Sequence, residues 1–511
     1  MTHYDVIIIG TGAGGGTLAQ HLAPTGKKIL ILERGTFVPR EKDNWSTQAV
    51  FLDQKYTTTE TWVDKKGKDF RPGIHYYVGG NTKFYGAALL RMRESDFGEV
   101  KHFGGVSPAW PIAYADLESY YTKAEKLYHV HGLRGADPTE PWASEPLPHA
   151  PLPHEPRIQE LNEDLQKLGL KPFPLPIGAR LGENPGDAPA VLDRFDGFPD
   201  PSETKADAHV VGIKPALQHP NVTLMTECFV EKLNTNASGN EVNEVIVQNN
   251  GATLTFSADV VVLAAGAINS AALLLRSANE QHPNGLANSS DVVGRHYMCH
   301  NNSALLAISK KPNPTIFGKT LAVNDFYHRS DDTDLPLGHI QMLGKSDPLM
   351  FREDAPGFTP GLALDYMAKH ALDFWMTSED LPDPDNRVLL GKDGKIHLHY
   401  TENNLEAHQR LHKKLTWILE HAGCETHLLP NHLYLGKKIP LAGTAHQCGT
   451  IRFGTDPKTS ALDTFCRAHE VQNLYVVDGS FFPSSSAVNP ALTIMAQALR
   501  VGDHLVEKLN R

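Results

Sequence analysis

His446 stands in the run Thr444–Thr450, and Asn489 stands immediately before Pro490 in the run Ala487–Thr493. A neutral imidazole accepts a hydroxyl proton near pH 7, and an asparagine amide holds the same oxygen without competing for the proton. If the two segments converge, the pair is equipped to oxidise an alcohol. Taken alone, His446 is better read as a satisfied structural histidine. A carrier for the electrons decides between the two readings.

The N-terminus offers such a carrier site. Val6, Ile7, Ile8 and Ile9 form a continuous β-branched run, and Gly10, Thr11, Gly12, Ala13, Gly14 and Gly15 follow it. A helix is expected from Thr17, and Lys28–Glu33 reads as a second buried strand. Glycines at 10, 12 and 15 tighten the turn and let a pyrophosphate reach backbone amides at a helix N-terminus. Glu33 ends the second strand at the distance expected of a ribose-binding carboxylate, with Arg34 beside it. A carboxylate there repels a 2′-phosphate, which argues against NADP but leaves NAD and FAD open.

Further glycine-rich turns follow. Gly79, Gly80, Asn81, Thr82, Lys83, Phe84, Tyr85 and Gly86 form one, which brings backbone groups to a second part of a large cofactor or simply opens a helix. Asp259–Gly266 is a third buried strand, ending in Ala264, Ala265 and Gly266, and Leu474–Val477 is another, ending in Asp478, Gly479 and Ser480.

These motifs must be carried by more than one core, since 511 residues exceed what one domain usually holds. The net charge of −11 and the lack of a basic run argue against a nucleic-acid partner. Five scattered cysteines with no C-x-x-C point to a reducing compartment, the cytoplasm. No targeting segment and no membrane span are expected, because the chain enters a buried strand at once and Val260–Leu275 is too broken to cross a bilayer. His129/His131 and His397/His399 alternate, but without a third ligand at zinc spacing no metal site is expected.

Between the motifs, an amphipathic helix is expected from Trp110 to His129, with Leu117, Tyr120, Tyr121, Ala124 and Leu127 on one side. Gly73–Arg93 includes a helix-compatible run, and Asp187–Asp207 reads as a Pro/Asp/Gly-rich surface loop or lid. From Leu305 to Leu441 the strands alternate as in antiparallel sheets, with a hairpin around Asp393-Gly394 and a helix from Leu405 to Ala422. The Phe374-Trp375-Met376 run suits either a sugar platform or the core. The expected fold is α/β: a Rossmann-like domain (1–45, 70–110, 205–304 and 442–511) with an inserted α+β substrate domain over an antiparallel sheet (305–441 plus parts of 111–204).

Together these segments resemble the glucose–methanol–choline (GMC) family of FAD-dependent oxidoreductases, and Val293-Gly294-Arg295 adds to the likeness. The resemblance implies a catalytic pair at His446 and Asn489. It implies flavin contacts at Gly10–Gly15, Glu33, Gly79–Tyr85, Val230 (to adenine, through backbone), Ala265, Asp478, Gly479 and Asn489. The chain departs from the family pattern in Lys83, in Tyr85 at the end of the glycine loop, and in Ser270-Ala271 and Ser277-Ala278. The implied reaction is proton abstraction by His446 with hydride transfer to flavin N5. The expected substrate is a polar polyol, a sugar or glycoside oxidised at a secondary hydroxyl, in the manner of sugar-oxidising members. His339, Gln341, Tyr366 and Trp375 are its candidate contacts. The re-oxidant is oxygen, a quinone or a redox protein. A non-redox lyase of the same family and the oxidation of a non-sugar alcohol are the alternatives. No histidine follows Gly79-Gly80 within that loop, so the FAD is expected to be held without a covalent bond.

Overall fold

The computed structural model describes residues 1–181, 192–352, 361–425, 437–443 and 445–510. The aliphatic runs of the sequence become the middle of a parallel sheet, in the order Val222–Met225, Ile29–Leu32, Thr2–Ile9, Ala252–Leu263 and Leu474–Val476. Val6–Ile8, Ile29–Ile31 and Val261–Leu263 are fully enclosed. Strands covered on both faces need such continuous rather than alternating runs. The first half of Ala252–Leu263 also starts an antiparallel meander through Val242–Asn249 to Cys228–Thr235.

Helices Ala13–Leu22 and Ala491–Leu509 pack on each other, and Tyr114–Leu127 packs on the latter. The expected side of Tyr114–Leu127 is the buried one, through Leu117, Tyr121 and Ala124. The helix-compatible run after Gly73 yields only a single 3₁₀ turn, Gly80–Lys83. Gly79 (φ +99°) and Gly80 (φ +55°) are both left-handed, and an α-helix cannot propagate through such a pair.

The second sheet is antiparallel, in the order Cys424–Glu425, Asn301–Ser309, Ala371–Ser378, His339–Met342, Leu321–Val323, Phe173–Pro174. One face carries Leu305, Leu372, Phe374, Met376, Ile340 and Met342 into a core closed by Leu411, Leu415 and Ile418 of helix Leu405–His421 and by Leu161 of helix Pro156–Lys167. Each such buried side chain contributes roughly 1.5–3 kcal/mol. Because strand residues alternate, Phe374 and Met376 belong to this core while Trp375 points to the other side. The hairpin Arg387–Leu390/Ile396–His399 joins Trp62–Asp64 and Asp69–Phe70 in a separate small sheet, and its Val388, Ile396 and Leu398 pack into the core of the parallel sheet.

Of the Asp187–Asp207 loop, residues 187–191 lie outside the described residues, as does Thr444. All five cysteines are free and buried. His129 and His131 both stack on His149. Among the described residues no helix is long and apolar enough to cross a membrane, and no cluster of His, Cys, Asp and Glu is arranged to hold a metal ion.

Candidate active site

One cavity of about 530 Å³ runs between the glycine turns of the parallel sheet and the outer face of the antiparallel sheet. Gly10, Thr11, Gly12, Ala13 and Gly14 form one wall with Glu33 and Arg34, and Gly80, Asn81, Tyr85 and Gly86 form another. Val230, Ala265, Asp478, Gly479, His446 and Asn489 all face the same space. Gly15 and Gly79 stand behind it. A Cβ on Gly15 would collide with Gly10 O, so this glycine permits close packing of strand and helix. Gly79 donates its N–H to Thr11 Oγ1 at 3.0 Å and thereby locks the two glycine turns together.

Two buried carboxylates organise these turns. Glu33 accepts from Thr11 N (3.2 Å), from the Thr11 hydroxyl and from Gly35 N (2.9 Å). Burial raises its pKa against the pull of those bonds. Asp478 accepts from Gly266 N (3.0 Å), Ser270 Oγ and Ser480 N (3.0 Å), and burial raises its pKa too. Arg34 lies over the Tyr76 ring, 4.1 Å from its centroid, and pairs with Glu60 at 3.0 Å.

At the other end of the cavity, Asn489 Nδ2 is 3.3 Å from His446 Nε2, and His446 Nδ1 is 3.0 Å from His300 Nδ1. Burial, with His300, Lys319 and His339 nearby, holds the His446 imidazole well below the usual histidine pKa. The ring is therefore neutral at pH 7, the form that can accept a proton. Gln341 and Trp375 face this end from the antiparallel sheet, beside an ion pair between Lys319 and Asp196 (2.8 Å). His339 is fully buried against Asn324 and Gln341, and Tyr366 stacks on His370 at the surface, so neither lines the cavity.

Comparison with known proteins agrees with this arrangement. Family models of the GMC oxidoreductases match residues 76–302 and 382–498. A 6'''-hydroxyparomomycin C oxidase of Streptomyces lividus is 30% identical, over 99% of this chain and 92% of its own. A paromamine 6'-oxidase of Streptomyces fradiae is 29% identical, over 97% and 90%. Among solved structures, pyridoxine 4-oxidase from Mesorbium loti superposes with a TM-score of 0.67 at 19% identity, covering 98% of this chain and 99% of that one. The chain belongs to the GMC oxidoreductase family. It is an FAD-dependent oxidoreductase acting on CH–OH groups.

The residues present fit FAD. A Cβ on Gly14 would strike Val477 O and one on Gly10 would strike Ala264 O, so these two glycines serve packing. Gly12 differs, because a Cβ there meets nothing within 4 Å: its open side is the cavity, at the uncapped N-terminus of helix Ala13–Leu22. Backbone amides and helix dipole at that point suit a pyrophosphate.

Asn269 and Arg276 lie in the segment that follows Gly266, while several other wall residues carry no sequence motif: His75, Tyr76 and Phe229 flank the glycine turns, and Asp196 and Lys319 flank the His446 end. Asn269 and Arg276 come from helix Ala267–Arg276, Phe229 from strand Cys228–Thr235 and the others from loops, and only the fold brings them together. Asp196 belongs to the Pro/Asp/Gly-rich loop expected as a lid, and His300 closely follows Val293-Gly294-Arg295, so for those two the neighbourhood was visible.

Proposed function

We propose that this enzyme oxidises a carbinol of a polar polyol, a sugar or glycoside, with His446 as the base and Asn489 as the group that holds the reacting oxygen. The observation that carries this reading is that both side chains face the cavity walled by the cofactor turns. His446 Nε2 takes the hydroxyl proton, and Asn489 Nδ2 donates to the oxygen as negative charge develops on it. FAD held at the Gly10–Gly14 turn, Glu33 and Asp478 would supply the two-electron oxidation as the hydride acceptor. Trp375 offers a flat apolar face, and Gln341, Lys319 and Asp196 offer donors and acceptors, a mixture suited to a hydroxylated ring.

The two Streptomyces relatives are named as oxidases of paromamine and hydroxyparomomycin, which supports a sugar-like substrate. The test is an anaerobic screen of flavin bleaching across sugars, glycosides, amino sugars and simple alcohols. Bleaching by a carbohydrate supports the proposal, and an aldehyde or ketone product identifies the hydroxyl. Bleaching by long-chain or aryl alcohols alone overturns it. Re-oxidation with oxygen and with a quinone, measured separately, names the acceptor.

A further inference from the structure

His446 and His300 meet edge to face, ring centroids 5.0 Å apart at 78°, with their Nδ1 atoms 3.0 Å apart. Two nitrogens at that distance share one hydrogen. Which ring owns it is decided elsewhere. His300 Nε2 lies 3.1 Å from Ser485 O, and a carbonyl only accepts, so His300 carries its proton on Nε2. Burial holds His300, like His446, below the ordinary histidine pKa, so both rings are neutral. A neutral imidazole protonated at Nε2 has a lone pair at Nδ1. His446 must then donate from its own Nδ1, which leaves the His446 lone pair on Nε2, the atom facing Asn489.

We propose that His300 is a positioning residue: the contact chain Ser485 O, His300, His446 fixes His446 as the Nδ1–H tautomer and so presents an unprotonated Nε2 to the substrate hydroxyl. The other tautomer would aim an N–H at that hydroxyl and could not take its proton. This inference rests on the reading of His446 as the base.

The backbone is built around the contact. His300 has φ +59°, a left-handed conformation rare for a residue with a side chain. Asn302 Nδ2 donates to Cys299 O (2.9 Å) and His300 O (3.3 Å), and Asp380 Oδ2 accepts from Cys299 N (3.0 Å), so the corner is held from both sides. The nearby charged groups are themselves paired: Glu379 with His102 (3.1 Å) on the His300 side, and Lys319 with Asp196 on the His446 side. His339 stands beyond His446 and is buried. The orienting partner of the base is therefore a neutral lone pair rather than a carboxylate. When His446 gains the substrate proton at Nε2, its Nδ1–H remains bonded to that lone pair.

The test uses holoenzyme and two readouts. Nitrogen-15 NMR of histidine-labelled wild-type protein reads the tautomer directly, and Nδ1–H on His446 is expected. Nε2–H on His446 overturns the proposal whatever the kinetics show. The pH profile of anaerobic flavin reduction is then compared for His300→Phe, which fills the space without a lone pair, and His300→Gln, whose Oε1 restores an acceptor. The Phe variant is expected to bind FAD but to reduce it at least ~10-fold more slowly with a displaced acid limb, and the Gln variant to recover most of the rate. Wild-type rates and profile in the Phe variant overturn the positioning role. If His446→Ala also leaves reduction unchanged, the base assignment falls separately, while the tautomer spectrum still decides what His300 does.

Discussion

Asn489 Nδ2 stands 3.3 Å from His446 Nε2, while the buried Asn489 Oδ1 has no hydrogen-bond partner among the described residues. The amide thus has one hydrogen directed at the base and a second free for the substrate oxygen. Replacing His446 with alanine removes the proton acceptor. Flavin should remain bound, and its reduction by substrate should slow at least ~100-fold, the usual scale of a positioned base. Asn489→Ala should cost less, about 5- to 10-fold, because water replaces part of one hydrogen bond. Stopped-flow reduction under anaerobic conditions checks both, and near-normal reduction in His446→Ala would remove the assignment.

The depressed pKa of His446 sets the sign of a pH effect. A base works when unprotonated, and lowering its pKa moves the acid limb of the rate to lower pH. Burial is the main cause here, with the neighbouring His300, Lys319 and His339 adding to it. The reduction rate should be flat through neutral pH and fall only below the ordinary histidine value of about 6.5. A profile measured with a non-ionising sugar, under anaerobic conditions, tests this. A limb at or above that value means that His446 is solvated in the working enzyme or that another group is the base.

Much of the cofactor half was legible in the sequence, because its signals are local. The runs Val6–Ile9 and Val260–Leu263 announce strands covered on both faces, and of the glycines at 10, 12 and 15 the first two fall between strand and helix and the third in the first turn of that helix. The run after Gly79 misled for an equally local reason: its side chains suit a helix, but two successive left-handed glycines forbid one. The catalytic end was only half legible. His446 and Asn489 carry motifs, whereas Asp196, Lys319 and His300 do not, and only long-range packing brings them to the site. In the Phe374-Trp375-Met376 run the core reading holds for two residues, since alternation along the strand sends the central residue to the cavity and its neighbours to the core.

Gly12 and Gly14 should separate cofactor binding from folding. Gly14→Ala places a methyl group against the Val477 carbonyl, and the expected result is poor expression or a lowered Tm. Gly12→Ala meets no protein atom, and its φ of −68° is open to any residue, so the apoprotein should keep its stability. The added methyl group instead occupies the approach of the pyrophosphate. Weakened FAD retention with a normal apoprotein Tm is expected. Full flavin content in purified Gly12→Ala protein would mean that the turn does not carry the phosphates.

Non-covalent attachment of FAD is the last expectation, and the structure brings a candidate nucleophile close to it. His75 lies before Gly79 in sequence, yet its ring faces the cavity and stacks on Phe84, centroids 3.8 Å apart. Its Nδ1 donates to Tyr56 O at 2.9 Å, and burial lowers its pKa to about 4, so its Nε2 carries a free lone pair. The other candidate, Tyr85, donates its hydroxyl to Ala206 O at 2.6 Å, and burial pushes its pKa well above the usual tyrosine value. Its phenolate is therefore inaccessible. Against a bond through His75 stands the way that ring is held, clamped between the Tyr56 carbonyl and the Phe84 face and not free to turn. Affinity then comes from the pyrophosphate at Gly12, the ribose at Glu33 and burial of the ring system. Acid precipitation decides the matter: yellow colour released to the supernatant is expected. Flavin fluorescence that stays with the denatured band, and disappears from it in His75→Ala, would show that His75 is a tether.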